Sequence, residues 1–92
     1  MQRVEVTIRN RLGLHARAAA KFVHVASRYR AQIHVGRDGR VVDGKSIMGI
    51  LLLAAARGTT ITITADGADE QDAVSALQAL VDSGFGEDAW NG

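Results

Sequence analysis

Residues 59–65 read TTITITA, and this alternation decides the fold class. Ile61, Ile63 and Ala65 fall on one face of an extended segment, and Thr60, Thr62 and Thr64 fall on the other. A strand covered on both sides would read as a near-continuous apolar run, so this sheet has one dry face and one wet face. Outward from this strand, the same signature recurs. Val4, Val6 and Ile8 alternate with Glu5, Thr7 and Arg9, and Ile33 and Val35 mark a further strand. Residues 36–40, GRDGR, supply a hairpin turn at Asp38–Gly39, and Arg40 to Asp43 returns as a short strand. Between the strands lie helical patterns. One runs from about Ala16 to Arg28, with Ala19, Phe22, Val23 and Ala26 on its inner face. A second runs from Ile47 to Ala56 after Ser46, a favourable N-cap. A third starts near Asp69, buries Ala73, Leu77, Leu80 and Val81, and stops at Gly84. The order is βαββαβα, an α+β open-faced two-layer sandwich with an antiparallel four-stranded sheet. The pattern leaves strand order open, and a ferredoxin-like 4-1-3-2 order fits it as well. Residues 85–92, Trp90 included, read as a loose acidic tail.

Ninety-two residues make one domain with one core. The chain has no cysteine, which removes disulfides and thiolate zinc sites. Lys and Arg number 11 against 10 Asp and Glu, so bulk charge favours neither nucleic acid nor membrane. An RNA-binding sheet should also display aromatics for base stacking, whereas this one offers Thr60, Thr62, Thr64 and His34. The N-terminus lacks the apolar run of a signal peptide, and the longest apolar stretch, Ile47 to Ala56, is too short to span a bilayer. A cytoplasmic protein without membrane insertion is expected.

Residues 47–56, IMGILLLAAA, are apolar on more than one side. On helical spacing Ile50, Leu53 and Ala54 share one face, and Met48, Leu51, Leu52 and Ala55 share another, with Ile47 between them. Only one cluster can enter the core unless the first helix covers the second. In the first helix Ala16 and Ala20 also fall off the core stripe, beside Arg17. An apolar patch left outside commonly docks partners, and the flexible thioether of Met48 suits that use.

Gly39 to Ser46, GRVVDGKS, matches the letters of a phosphate-binding loop. Its middle residues, Arg40, Val41, Val42 and Asp43, suit a strand better than a cradle, and the chain lacks room for the parallel sheet such a loop serves.

His15 directly precedes the first helix, where unpaired N–H groups carry about half a positive charge. It is a poor cap beside Ser, Thr, Asp or Asn. His24 and His34 lie on a helix flank and a strand, so no metal-ligand spacing exists and neither metal nor cofactor is expected. Nucleophilic use fits better: the helix end and Arg17 favour a neutral, unblocked imidazole before transfer and a bound dianion after it.

LGLHARAAAKFV, residues 12–23, followed by GKSIMGIL, residues 44–51, resembles the HPr phosphocarrier family of the bacterial phosphoenolpyruvate phosphotransferase system. The likeness covers essentially the whole chain, as one domain over 1–88 with a tail at 89–92. It implies a sheet of order 1-4-2-3 with three helices on one face. It implies that His15 takes a phosphoryl group on Nδ1 from phosphorylated enzyme I and passes it to a IIA-type protein, while Arg17 holds the phosphoryl oxygens. Ala16, Ala20, Ile47, Met48, Leu51 and Leu52 match the family's docking surface. Ser46 matches a site that an ATP-dependent HPr kinase/phosphorylase modifies in many members. Ala18 stands where proline is usual, which should soften the start of the helix slightly. The ending DSGFGED is more like the nitrogen-related branch and other proteobacterial members, with the sugar branch left open. A monomer is expected. The alternative is a regulatory HPr-like interaction module without phosphotransfer.

Overall fold

The computed structural model describes residues 1–87. Trp90, the rest of the tail at 89–92 and the boundary after 88 lie outside the described residues. Four strands, β1 (Gln2–Thr7), β2 (Gln32–Arg37), β3 (Arg40–Asp43) and β4 (Thr60–Asp66), form one antiparallel sheet in the order β1-β4-β2-β3. The helices α1 (Ala16–Ala26), α2 (Ile47–Leu52) and α3 (Glu70–Asp82) cover one face. This is the 1-4-2-3 order the family resemblance implies, not the ferredoxin-like alternative.

Register carries the alternation across the sheet. Val4 pairs with Ile63 and Ile63 with Val35, which places three apolar side chains in one row on the helix side. The next row, Arg3, Thr64, His34 and Asp43, lies on the wet side. Ile33, Val35, Ile61, Ile63 and Ala65 are fully buried, and Ala18, Ala19, Phe22, Ala26, Ala73, Leu77 and Val81 meet them from α1 and α3. Each such Ile or Phe contributes roughly 1.5–3 kcal/mol relative to an exposed side chain. Asp69 caps α3 by position but not by side chain. Its carboxylate instead accepts from the Arg30 and Ala31 amides at 2.8 and 2.9 Å, which ties the α1–β2 connection to the start of α3.

Two boundaries differ from the expectation. Helix α1 ends at Ala26 rather than Arg28, and α2 ends at Leu52 rather than Ala56. Arginines from the β2–β3 hairpin hold the end of α2: Arg40 donates to the Leu52 carbonyl, and Arg37 donates to those of Leu53 and Ala54. Ala54 takes a left-handed φ of 50°, so the helical face count fails from there on. Ala54, assigned inward, is exposed, and Ala55, assigned outward, is buried.

The tail expectation is corrected as well. Residues 85–87 are not loose: Gly84–Gly86 form a tight turn with left-handed backbone, and Phe85 is only 1% exposed in the core. No helix among the described residues is long and apolar enough to cross a membrane.

Candidate functional site

Alanine, the strongest helix former, fills four of the first five positions of α1, so this helix propagates readily. His15 is its N-cap, with extended backbone (φ −76°, ψ 178°) and no capping bond from its ring. The His15 carbonyl accepts the Ala19 amide at 2.8 Å, which leaves the amides of Ala16, Arg17 and Ala18 without intrahelical partners. The first turn holds no acidic residue to offset their positive potential. Arg17 is exposed and pairs with no acid among the described residues. Ala18, expected to soften the start of the helix, is fully buried, and the helix begins at Ala16 with no break at that position.

Gly13 sets the approach to this helix. Its φ is +67°, and an added Cβ would lie 2.6 Å from the Ala55 carbonyl oxygen, which accepts the Leu14 amide at 2.9 Å. The loop before His15 is therefore seated directly on the segment after α2.

The imidazole is not unblocked, contrary to the expectation from the sequence. Its Nε2 lies 2.6 Å from Oε2 of Glu87, and the Glu87 side chain is only 6% exposed. The other carboxylate oxygen accepts from Asn10 Nδ2 at 3.1 Å, and the same amide donates to the Gly13 carbonyl at 2.7 Å. Lys21, from α1, donates to the Phe85 carbonyl at 2.7 Å. An ionised carboxylate only accepts, so Nε2 carries a proton, and whenever the ring is neutral the lone pair lies on Nδ1. Burial pushes the Glu87 carboxyl up, but hydrogen bonds from His15 and Asn10, with the charges of His15 and Lys21, outweigh it and hold the group below its usual 4.5. With the folded value depressed, this contribution to stability is present above the unfolded value and lost as pH falls through the folded one. Thermal melts should show wild type ahead of Glu87→Gln above about pH 4.5, with the gap closing in stronger acid.

Glu87, Asn10 and Lys21 were not singled out from the sequence. The available signal was residues 83–87, SGFGE, an aromatic bracketed by glycines that turns the chain back and carries an acid beyond the turn.

Ser46 is the N-cap of α2, and its Oγ accepts the Gly49 amide at 3.1 Å, as expected. Helices α1 and α2 pack together. Ala16 and Ala20 are exposed on the first, while Ile47, Met48 and Leu52 are 44%, 68% and 58% exposed on the second. Leu51, expected in that patch, is half-buried against the core. Leu12 is also exposed, in the loop before His15, and was not anticipated.

An open-faced sandwich with a partly exposed histidine at a bare helix start, and apolar side chains outside its core, fits a small carrier protein. Comparison with known proteins bears this out. The family model for the PTS HPr component phosphorylation site matches residues 2–83. The phosphocarrier protein HPr of Cupriavidus necator is 52% identical over 83 residues, which cover 90% of this chain and 93% of that one. The crystal structure of HPr-C-His from Thermoanaerobacter tengcongensis superposes with a TM-score of 0.93 at 45% identity, covering 96% and 99% of the two chains. Crh, the Bacillus subtilis catabolite repression protein, superposes with a TM-score of 0.74 at 42% identity over 91% and 97%. Its crystal structure is described as a dimer with a swapping domain. The chain belongs to the HPr phosphocarrier family of the phosphotransferase system.

Proposed function

We propose that His15 carries the phosphoryl group, accepting it on Nδ1 from phosphorylated enzyme I, whose donor is phosphoenolpyruvate, and passing it to a IIA-type protein. The observation that supports this most directly is the division of the ring: Nε2 is occupied by Glu87, and among the described residues Nδ1 has no partner, at a helix end with three amides that also have none. Those amides and the exposed Arg17 guanidinium supply positive potential for the phosphoryl oxygens. Catalysis of such a step is mostly positioning and charge neutralisation, which fits a carrier whose chemistry occurs inside complexes with its partners. The test follows label from phosphoenolpyruvate through enzyme I to this chain and onward to a IIA-type protein. Loss at the first step leaves a regulatory interaction module instead.

Ala16, Ala20, Ile47, Met48 and Leu52 form the apolar surface on which enzyme I docks, with half-buried Leu51 supporting it from beneath. The carrier works in the cytoplasm as a monomer. Sedimentation against the dimeric arrangement described for Crh tests the second point.

Ser46 is the regulatory site, modified where an HPr kinase/phosphorylase is present. A phosphate there sits at a helix start that tolerates negative charge, yet it hydrates the docking surface beside Ile47 and Met48. Ser46→Ala should cost about 0.5–2 kcal/mol through loss of the cap. Ser46→Asp should keep the fold and raise the carrier concentration that half-saturates enzyme I severalfold. Unchanged steady-state kinetics would count against the patch.

A further inference from the structure

We infer that Glu87 is a positioning residue for phosphoryl transfer: it holds the proton on Nε2 of His15 and stabilises the positive charge the ring acquires when Nδ1 bonds to phosphorus. This rests on the carrier reading above and adds to it a residue from the far end of the chain.

The contact is built, not incidental. Oε2 lies 2.6 Å from Nε2, and Oε1 is braced by Asn10, which is itself bonded to the Gly13 carbonyl in the loop before His15. Behind Glu87, Gly84, Phe85 and Gly86 run at φ values of 66°, 60° and 72°. A non-glycine residue held in that region carries strain, and it persists here because the Phe85 ring is buried and its carbonyl is clamped by Lys21. Asn10 and Lys21 flank His15 in sequence, so ring and carboxylate are fixed to one scaffold.

The chemistry requires such a partner. In the transfer, the Nδ1 lone pair forms a bond to phosphorus. The bond from phosphorus to the donor atom breaks, and its electron pair leaves with the donor. The ring keeps its Nε2 proton and gains one positive charge, so no proton has to move. The helix end and Arg17 oppose that charge while they stabilise the phosphoryl oxygens. A carboxylate on the opposite nitrogen offsets the opposition, as the buried aspartate does for the imidazolium of hydrolase triads. With the proton on Nδ1 instead, the nucleophilic lone pair would be lost and Nε2 would point its own lone pair at a carboxylate oxygen.

The experiment compares wild type with Glu87→Gln, which keeps the size and an acceptor oxygen but removes the charge. With phosphorylated enzyme I as donor, rapid quench should show the transfer rate at saturating carrier falling by about ten- to a hundredfold. The half-saturating concentration should hold, because Glu87 lies outside the docking surface. In parallel, nitrogen-15 NMR of wild-type His15 should find the proton on Nε2 both before and after phosphorylation. Transfer by Glu87→Gln at the wild-type rate, or a proton on Nδ1 in the unphosphorylated wild type, would overturn the inference while leaving the carrier reading intact. A wild type that accepts no phosphoryl group would remove both.

Discussion

His15→Ala is expected to fold and melt close to wild type and to accept no phosphoryl group from phosphorylated enzyme I. The ring is partly exposed, with its side chain at 25%, and it contributes no cap to α1, so its loss leaves the packing of the core untouched. On the proposed reading what goes is the nucleophile, and the two remaining histidines are not expected to replace it. His24 lies exposed on α1 and His34 on the wet face of the sheet opposite Thr64, neither at a helix start. The folded-state change is limited to the Glu87 contact, and because Glu87 keeps its bond from Asn10, any fall in melting temperature should be small. Amide hydrogen–nitrogen spectra and a phosphorylation time course read the two halves of this expectation separately.

Gly13→Ala is expected to have the largest effect on stability of any single methyl group added near the site. Two costs combine. The backbone at φ +67° is left-handed, which costs a non-glycine residue about 1–3 kcal/mol. The new Cβ would lie 2.6 Å from the Ala55 carbonyl oxygen and 3.0 Å from Ala56 Cα, both backbone atoms that cannot swing aside. Overpacking of this kind typically costs a further 1–3 kcal/mol or so. A total of about 2–6 kcal/mol follows, enough to lower the midpoint of urea unfolding clearly. Because the Gly13 carbonyl also accepts from Asn10, the same substitution should loosen the Asn10–Glu87–His15 chain and slow phosphoryl acceptance in the molecules that remain folded.

These expectations show which parts of the molecule were legible in residue order. Strand alternation at 59–65 and near the N-terminus reports burial on one side, and a two-residue period survives any strand order, so the layer architecture could be read locally. The order β1-β4-β2-β3 could not, because it depends on pairings such as Val4 with Ile63 that leave no mark in either strand alone. Helix α2 was overextended for a related reason. Leu53 and Ala55 are buried after the helix has ended, and apolarity alone does not separate a buried loop from a buried helix. The stop comes from Arg37 and Arg40 across the fold. At the candidate site, the placement of His15 and Ser46 at helix starts was legible because helix starts follow local rules, and Ser46 caps as those rules require. Glu87 was not, because it meets His15 across 72 positions of sequence through a turn stabilised by a buried Phe85 and a clamping Lys21. An acid past a glycine pair reads as tail unless the pocket for the aromatic is known.

The same contact bears on the electrostatics of the ring. A helix end alone would discourage positive charge on the imidazole. With Glu87 in place, the two nitrogens sit in different fields, one beside a carboxylate and one left for the phosphoryl group. On the reading proposed above, the carrier does not rely on a wholly unattached ring but on one nitrogen being held and the other being left free.

Intact mass measured after incubation with phosphoenolpyruvate and enzyme I tests the central claim most directly, with His15→Ala run beside the wild type. The wild type should gain the mass of one phosphoryl group, labile in acid as a phosphohistidine is, and the alanine variant should gain none. A wild-type mass that does not change, or an equal gain in both proteins, would contradict the assignment of His15 as the carrier.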